Sequence, residues 1–180
     1  MLTIKIPSIR CWDETNEIFV TSPEVTLNLE HSLIALSKWE SKHKKRFLDN
    51  TIDKTEDETR DYIRCMALND IPEIAYQSLF RNRILMNSII QYIGDTHTAT
   101  TIKPSNTNGN QGEAVTSELI YYWMTVAQIP WEAQTWHLNR LITLISVYSE
   151  KNKPQKAMDP KIQAQQNHEL NRARRAARKH

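Results

Sequence analysis

Apolar and polar positions alternate at the start of the chain. In LTIKI, Leu2, Ile4 and Ile6 fall on one side; in EVTLNL (24–29), Val25, Leu27 and Leu29 do the same, and EIFV (17–20) lies between them. A period of two predicts β-strands. DETN (13–16) and Ser22-Pro23 carry turn residues between them. The expectation is a small antiparallel sheet of two or three strands, which would have to pack on helices to be stable.

From residue 29 the period lengthens to that of a helix. Leu29, Leu33, Leu36 and Trp39, with Ile34 beside them, predict a first helix to about Arg46, closed by the basic run SKHKKR (41–46) where the helix dipole favours cations. KTEDETRDYIRCM predicts a second. Thr55 and Glu58 have the spacing of a capping box, and Tyr62, Ile63 and Met66 supply the apolar side. A third helix is predicted from Pro72 to Ile93, with Leu79, Met86, Ile90 and Ile93 as its stripe, flanked by Phe80 and Ile89. Residues 94–112 then contain all three glycines of the chain. Such a long loop is functional or disordered, and TATTI (98–102) within it predicts a short strand joining the N-terminal sheet.

Thr116-Ser117-Glu118 opens a helix through LIYYWMTVAQ, and Pro130 starts the next, PWEAQTWHLNRLITLISVYS, with Leu138, Leu141, Ile142 and Ile145 at helical spacing. The pair predicts a helical hairpin through the centre of the fold. KNKPQKAMDP (151–160) reads as a linker, and KIQAQQNHELNRARRAARKH has good helix formers but few apolar anchors, Ile162 and Leu170 plus alanines. That segment is expected to be helical when docked and frayed otherwise. The expected fold class is α+β, mainly α-helical: a small N-terminal antiparallel β-sheet packed on a helical bundle, with an extended basic C-terminal helix. One globular domain would cover 1–150, β-rich over 1–29 and helical beyond, with a 94–113 loop; a linker and basic tail would cover 151–180.

Composition adds limits. A chain of 180 residues that is 39% apolar and 24% charged can bury a core. No run of eighteen apolar residues occurs and MLTIKIPSIR lacks the layout of a signal peptide, so no membrane association and a cytosolic location are expected. Cys11 and Cys65 lie far apart, which predicts reduced thiols. The net charge of +2 hides a division. Residues 151–180 hold nine basic and two acidic residues, a net +7; the remainder holds 14 basic and 19 acidic, a net −5. A mildly acidic body carrying a basic tail points to an interaction tail.

The chemistry-bearing motifs are sparse. His31, His43, His97, His137, His168 and His180 form no zinc-type spacing. There is no nucleophile elbow, phosphate loop or Walker lysine. Asp57, Glu58 and Asp61 fall at a predicted helix start, where dipole and solvation account for them. No enzymatic activity, cofactor or metal is therefore expected. The aromatic residues carry more. Trp123, Trp131 and Trp136, with Tyr121 and Tyr122, suit core or interface anchors on amphipathic helices. Only Lys103 is basic between Arg83 and Arg140, so base stacking there gains no electrostatic support. His137, Asn139 and Arg140 are polar on a helix otherwise apolar and would ring an interface or face water, although a histidine such as His137 is more often a satisfied structural residue than a ligand. In the tail, Arg172, Arg174, Arg175, Arg178 and Lys179 suit phosphate contacts, a solvated end, or a helix docking on an acidic protein neighbour. Alanines opposite the arginines favour the docked helix.

Several segments taken together resemble a known family. LEHSLIALSKWESK (29–42), DYIRCM (61–66), TATTI (98–102), TSELIYYWM (116–124), IPWEAQTWHLNRLITLI (129–145), KNKP (151–154) and LNRARRA (170–176) are similar, in the same order over about 27–177, to a family of small tailed-bacteriophage morphogenesis and structural proteins, some labelled tail assembly chaperone. The resemblance implies a helical protein that binds the tape measure protein and helps tail subunits assemble, and it brings no catalytic residues. The chain departs from that pattern in SKHKKRFL (41–48), where a tryptophan near His43 is expected, and in its more basic C-terminus. The expected function is thus non-enzymatic: a tail assembly chaperone-like protein acting in the bacterial host cytoplasm during assembly. Its partners would be phage structural proteins, the tape measure or other tail or connector subunits, or further copies of itself, met through the aromatic helices and the 94–113 loop. One alternative is a permanent virion subunit of the tail or head–tail connector, its basic tail docking on a neighbour or on DNA. The other is a nucleic-acid-binding protein.

Overall fold

A computed structural model describes residues 1–13, 17–101 and 115–152, together with His168 and Arg174. The fold is α+β and mainly α-helical. Its elements are β1 (Leu2–Ile6), β2 (Ile9–Asp13), β3 (Ile18–Ser22), β4 (Val25–Leu29), α1 (Leu33–His43), α2 (Glu56–Met66), α3 (Glu73–Arg81), α4 (Arg83–Gly94), α5 (Ser117–Val126), a 3₁₀ turn (Trp131–Thr135) and α6 (Leu138–Lys151). The chain divides into two compact units, Met1–Tyr148 and Ser149–His180. In the second, His168 and Arg174 are helical and exposed; the rest of the predicted linker and basic helix, 153–167, 169–173 and 175–180, lies outside the described residues.

Four strands form two separate antiparallel pairs rather than one sheet. β1 runs beside β4 with Leu2 opposite Leu29 and Ile6 opposite Val25. This pair buries Ile4, Ile6, Leu27 and Leu29, and β1 lies against α3 and α4. The alternating pattern therefore has the one apolar face it needs. β2 and β3 form an inner hairpin, Ile9 opposite Ser22 and Asp13 opposite Ile18. β2 is an addition to the predicted strands, and its hairpin carries Trp12 and Phe19 outward. The outer edge of β4 is covered by the chain leaving α2. Glu30 N–H donates to the Met66 carbonyl and Leu68 N–H to that of Asn28, both at 2.9 Å. The Asn69 side chain accepts from Asn28 N–H and donates to the Thr26 carbonyl, so an edge that could template pairing is closed.

Ser32 caps α1 by accepting from Ala35 N–H, because Leu29 belongs to β4. The helix stops at His43, where Lys44 takes a left-handed conformation (φ 55°) and donates to the Glu40 carbonyl. It does not reach Arg46. Leu33, Leu36 and Trp39 are fully buried. In α2 the capping box forms as expected: Glu58 N–H donates to Thr55 Oγ1 at 3.2 Å and Thr55 N–H to Glu58 Oε2 at 2.9 Å. Tyr62, Ile63 and Met66 are its buried side. Ion pairs from Lys42 to Asp61 and from Lys45, just past α1, to Glu58, with a hydrogen bond from His43 Nε2 to Asp61 Oδ2 at 2.7 Å, join the end of α1 to α2.

The single helix predicted over 72–93 is broken. Asn82 leaves the helical conformation, donates back to the Ser78 and Leu79 carbonyls, and accepts from Ile84 and Leu85 N–H groups as the cap of α4. The break rotates the following apolar stripe. Ile89 and Tyr92 become buried, while Ile90, predicted to face the core, is 62% exposed. Thr98–Thr101 form no strand. Asp95 Oδ1 accepts from His97 N–H, Thr98 Oγ1 accepts from Thr100 N–H, and His97 has φ 48°. These local bonds make turns instead. Ile102 and the loop to 114 lie outside the described residues.

The helix predicted from Pro130 is also interrupted. Pro130 opens only the 3₁₀ turn; Trp136 is extended, and His137 pairs with Ser32 in an isolated bridge. Leu138 N–H donates to the His31 carbonyl at 2.7 Å, and α6 begins there. The extended step tethers the start of α6 to the β4–α1 junction, and α5 packs on α1. The two helices share a core through Ile120, Met124, Leu138, Leu141 and Ile145 but do not make the predicted central hairpin.

Candidate partner-binding surface

The sequence of α5, SELIYYWMTV, has no charged side chain after Glu118 and is apolar on nearly every side. Packing on α1 can cover only one of those sides. Ile120 and Met124 are buried there, and Tyr121 and Trp123 are half-buried. Tyr122 and Val126, four residues apart and therefore on one face, are left 62% and 51% exposed. On α6, Leu138, Leu141 and Ile145 point inward while Leu144 and Tyr148, again four apart, face outward. The Tyr148 hydroxyl donates to the Val126 carbonyl at 3.3 Å, which brings the two exposed pairs together as one surface. Trp131 in the 3₁₀ turn is also exposed. Its ring centre lies 5.6 Å from that of Tyr121, whose hydroxyl donates to Gln134 Oε1. Burial pushes the Tyr121 hydroxyl above the usual tyrosine range, so it stays a neutral donor.

The residues singled out from the sequence separate. Trp131 and Arg140 are exposed, and Trp123 and Trp136 are half-buried. The Arg140 guanidinium lies 4.5 Å from the centre of the Trp136 ring, a cation–π contact that holds both at the surface. Arg174 is exposed; Arg172, Arg175, Arg178 and Lys179 lie outside the described residues. His137 follows the structural reading rather than the partner-binding one: it is 7% exposed and belongs to the interior. Its Nε2 donates to the Tyr92 carbonyl at 3.0 Å, and its ring contacts those of His31, Tyr92 and His97. Asn139, beside it, donates to the carbonyls of Ile93 and Asp95. The two polar residues thus close the C-terminal end of α4, which has no basic residue in its last turn.

Behind this wall His31 is buried. The Tyr62 hydroxyl, itself pushed well above the usual tyrosine range by burial, is hydrogen-bonded to His31 Nδ1 at 2.7 Å. Burial, with the neighbouring His137 and His97, lowers the pKa of His31 to about 4. Burial also lowers that of His137, with smaller opposing contributions from its bond to Tyr92 and from Asp95.

Tyr122 is among the anchors read from the sequence; Val126, Leu144 and Tyr148 are the members of the surface that the reading omitted. Their i,i+4 spacing was the available signal, but on a helix as evenly apolar as α5 it cannot say which side meets solvent. Among the described residues, no group of three or more His, Cys, Asp or Glu side chains could hold a metal ion, and no helix is long and apolar enough to cross a membrane. Set against known protein families, curated proteins and solved structures, the chain matches none.

Proposed function

We propose that this chain is a non-enzymatic bacteriophage particle-morphogenesis protein of the tail assembly chaperone kind, and that it holds other tail proteins against the α5–α6 surface. The observation that carries the reading is the exposed apolar set Tyr122, Val126, Leu144 and Tyr148, with Trp131 alongside. Exposed aromatic clusters of this kind suit a partner's apolar helix face. The ordered resemblance over 27–177 supports the same reading and names the class of partner. The tyrosine hydroxyls keep the surface tolerable in water between encounters, which favours a reversible contact over a permanent one.

The direct test is binding of the purified full chain to the tape measure protein of the same phage. A Tyr122→Glu/Val126→Glu variant, altered where the side chains already face solvent, is expected to bind at least about tenfold more weakly while unfolding at nearly the same temperature. Unchanged affinity in that variant would sink the assignment of this surface.

A further inference from the structure

The β2–β3 hairpin presents a second exposed surface, distinct in chemistry from the first. Arg10 stands opposite Thr21 and Trp12 opposite Phe19, and a period of two puts these four side chains on one side of the hairpin. Trp12 and Phe19 are both more than half exposed, their ring centres 4.9 Å apart in an edge-to-face arrangement. The Arg10 guanidinium lies 4.3 Å from the centre of the Phe19 ring. Arg10 also reaches the α3–α4 junction, where it lines an open groove of about 560 Å³ with Arg81, Arg83, Gln77, Ser78 and Ile84.

Among the described residues, no acidic side chain lines that groove and none of the three arginines has an ion-pair partner. The adjoining depression shares Arg81 and contains Asp57, Asp61 and Glu73. Those carboxylates are already matched, by Arg60, by Lys42 and His43, and by Arg64. The end of α4 is not the source of the field, because Asn82 Oδ1 takes the Ile84 and Leu85 N–H groups.

Three guanidinium groups with no ion-pair partner among the described residues favour an anion, and guanidinium suits phosphate. The open rings beside them favour a flat partner. A duplex keeps its bases stacked internally, and an acidic peptide would leave the rings without work; a single strand can use both features. We infer that the hairpin and the α3–α4 junction bind single-stranded nucleic acid, with phosphates on Arg10, Arg81 and Arg83 and bases stacked on Trp12 and Phe19.

Fluorescence anisotropy of the full chain with a labelled oligothymidylate, titrated across a range of salt concentrations, tests this. Arg10→Glu/Arg81→Glu/Arg83→Glu is expected to weaken binding at least about a hundredfold at low salt. It should also flatten the dependence of log affinity on log salt by about 2, from roughly −0.7 per phosphate contact on a single strand. Trp12→Ala/Phe19→Ala is expected to weaken binding about tenfold or more with the salt slope unchanged. All five side chains are exposed, and Arg83→Glu alone should act in the same direction should the triple variant fold poorly. Replacing Arg172, Arg174, Arg175, Arg178 and Lys179 by glutamine should leave both effects in place. The inference is overturned by absence of binding at low salt, or by binding that depends on the tail alone. It is equally overturned by a polyglutamate that binds as tightly through the arginines with no effect of the two rings.

Discussion

Replacing Glu40 by alanine is expected to lower the stability of the chain by about 4 kcal/mol. Glu40 is a carboxylate in the core, 7% exposed. Its Oε1 accepts from Phe47 N–H at 3.1 Å and its Oε2 from Ser117 N–H at 2.7 Å. Ser117 is the first residue of α5, so its N–H has no acceptor within the helix. The carboxylate also meets the positive end of that helix. One side chain on α1 therefore fixes both the chain leaving α1 and the entry of α5. Alanine leaves two enclosed donors without acceptors and opens a cavity. Glutamine keeps the volume but turns its NH₂ toward one donor, so a loss of about 2 kcal/mol is expected. Chemical denaturation of the three proteins checks both the size and the order of the losses. A Glu40→Gln protein as stable as the parent would show that the paired acceptors contribute little.

The second large effect is with acid. A histidine whose folded pKa lies below its unfolded value of about 6.5 is protonated more readily in the unfolded chain. Its stabilisation is therefore complete above about pH 6.5, declines as the pH falls toward the folded value, and is gone below it. For His31, with a folded pKa of about 4, the loss between pH 7 and pH 4 is about 3 kcal/mol, and His137, also lowered by burial, adds in the same direction. The carboxylates held by cations and hydrogen bonds, Asp49, Glu58, Asp61 and Glu73, are lowered instead, so their contributions disappear at lower pH and leave the histidine window distinct. Unfolding free energies measured across this range should fall much more steeply for the parent than for His31→Gln, which is less stable at pH 7 but lacks the titrating ring. Parallel curves would contradict the burial of a neutral His31.

Local signals in the sequence carried over where both halves of the interaction are near each other. The Thr55–Glu58 capping box, the Thr116 cap and the apolar sides of β1, β4 and α2 are of this kind. The breaks were harder to read because their causes are partly tertiary. Asn82 interrupts an apolar period that otherwise fits one helix, and the step at Trp136–His137 is held by pairing with Ser32, over a hundred positions away. The role of His137 and Asn139 as closure for α4 depends on the carbonyls of Tyr92, Ile93 and Asp95, which no local pattern announces. The candidate surfaces show the same division. Tryptophan density drew attention to the helices that carry the exposed apolar set, but burial on α1 decided that Tyr122 and Val126, not Trp123, face outward most fully. The arginine groove joins Arg10 to Arg81 and Arg83 through the fold alone.

Under the proposed function, this chain acts on other particle proteins without becoming one of them. Quantitative mass spectrometry of infected cells and of purified particles decides whether it does. The prediction is a chain that is abundant in the cell while tails assemble, and absent or far below stoichiometric in the finished particle. A fixed copy number in purified particles, matching that of a tail or connector ring, would contradict it and make the α5–α6 surface a permanent subunit interface.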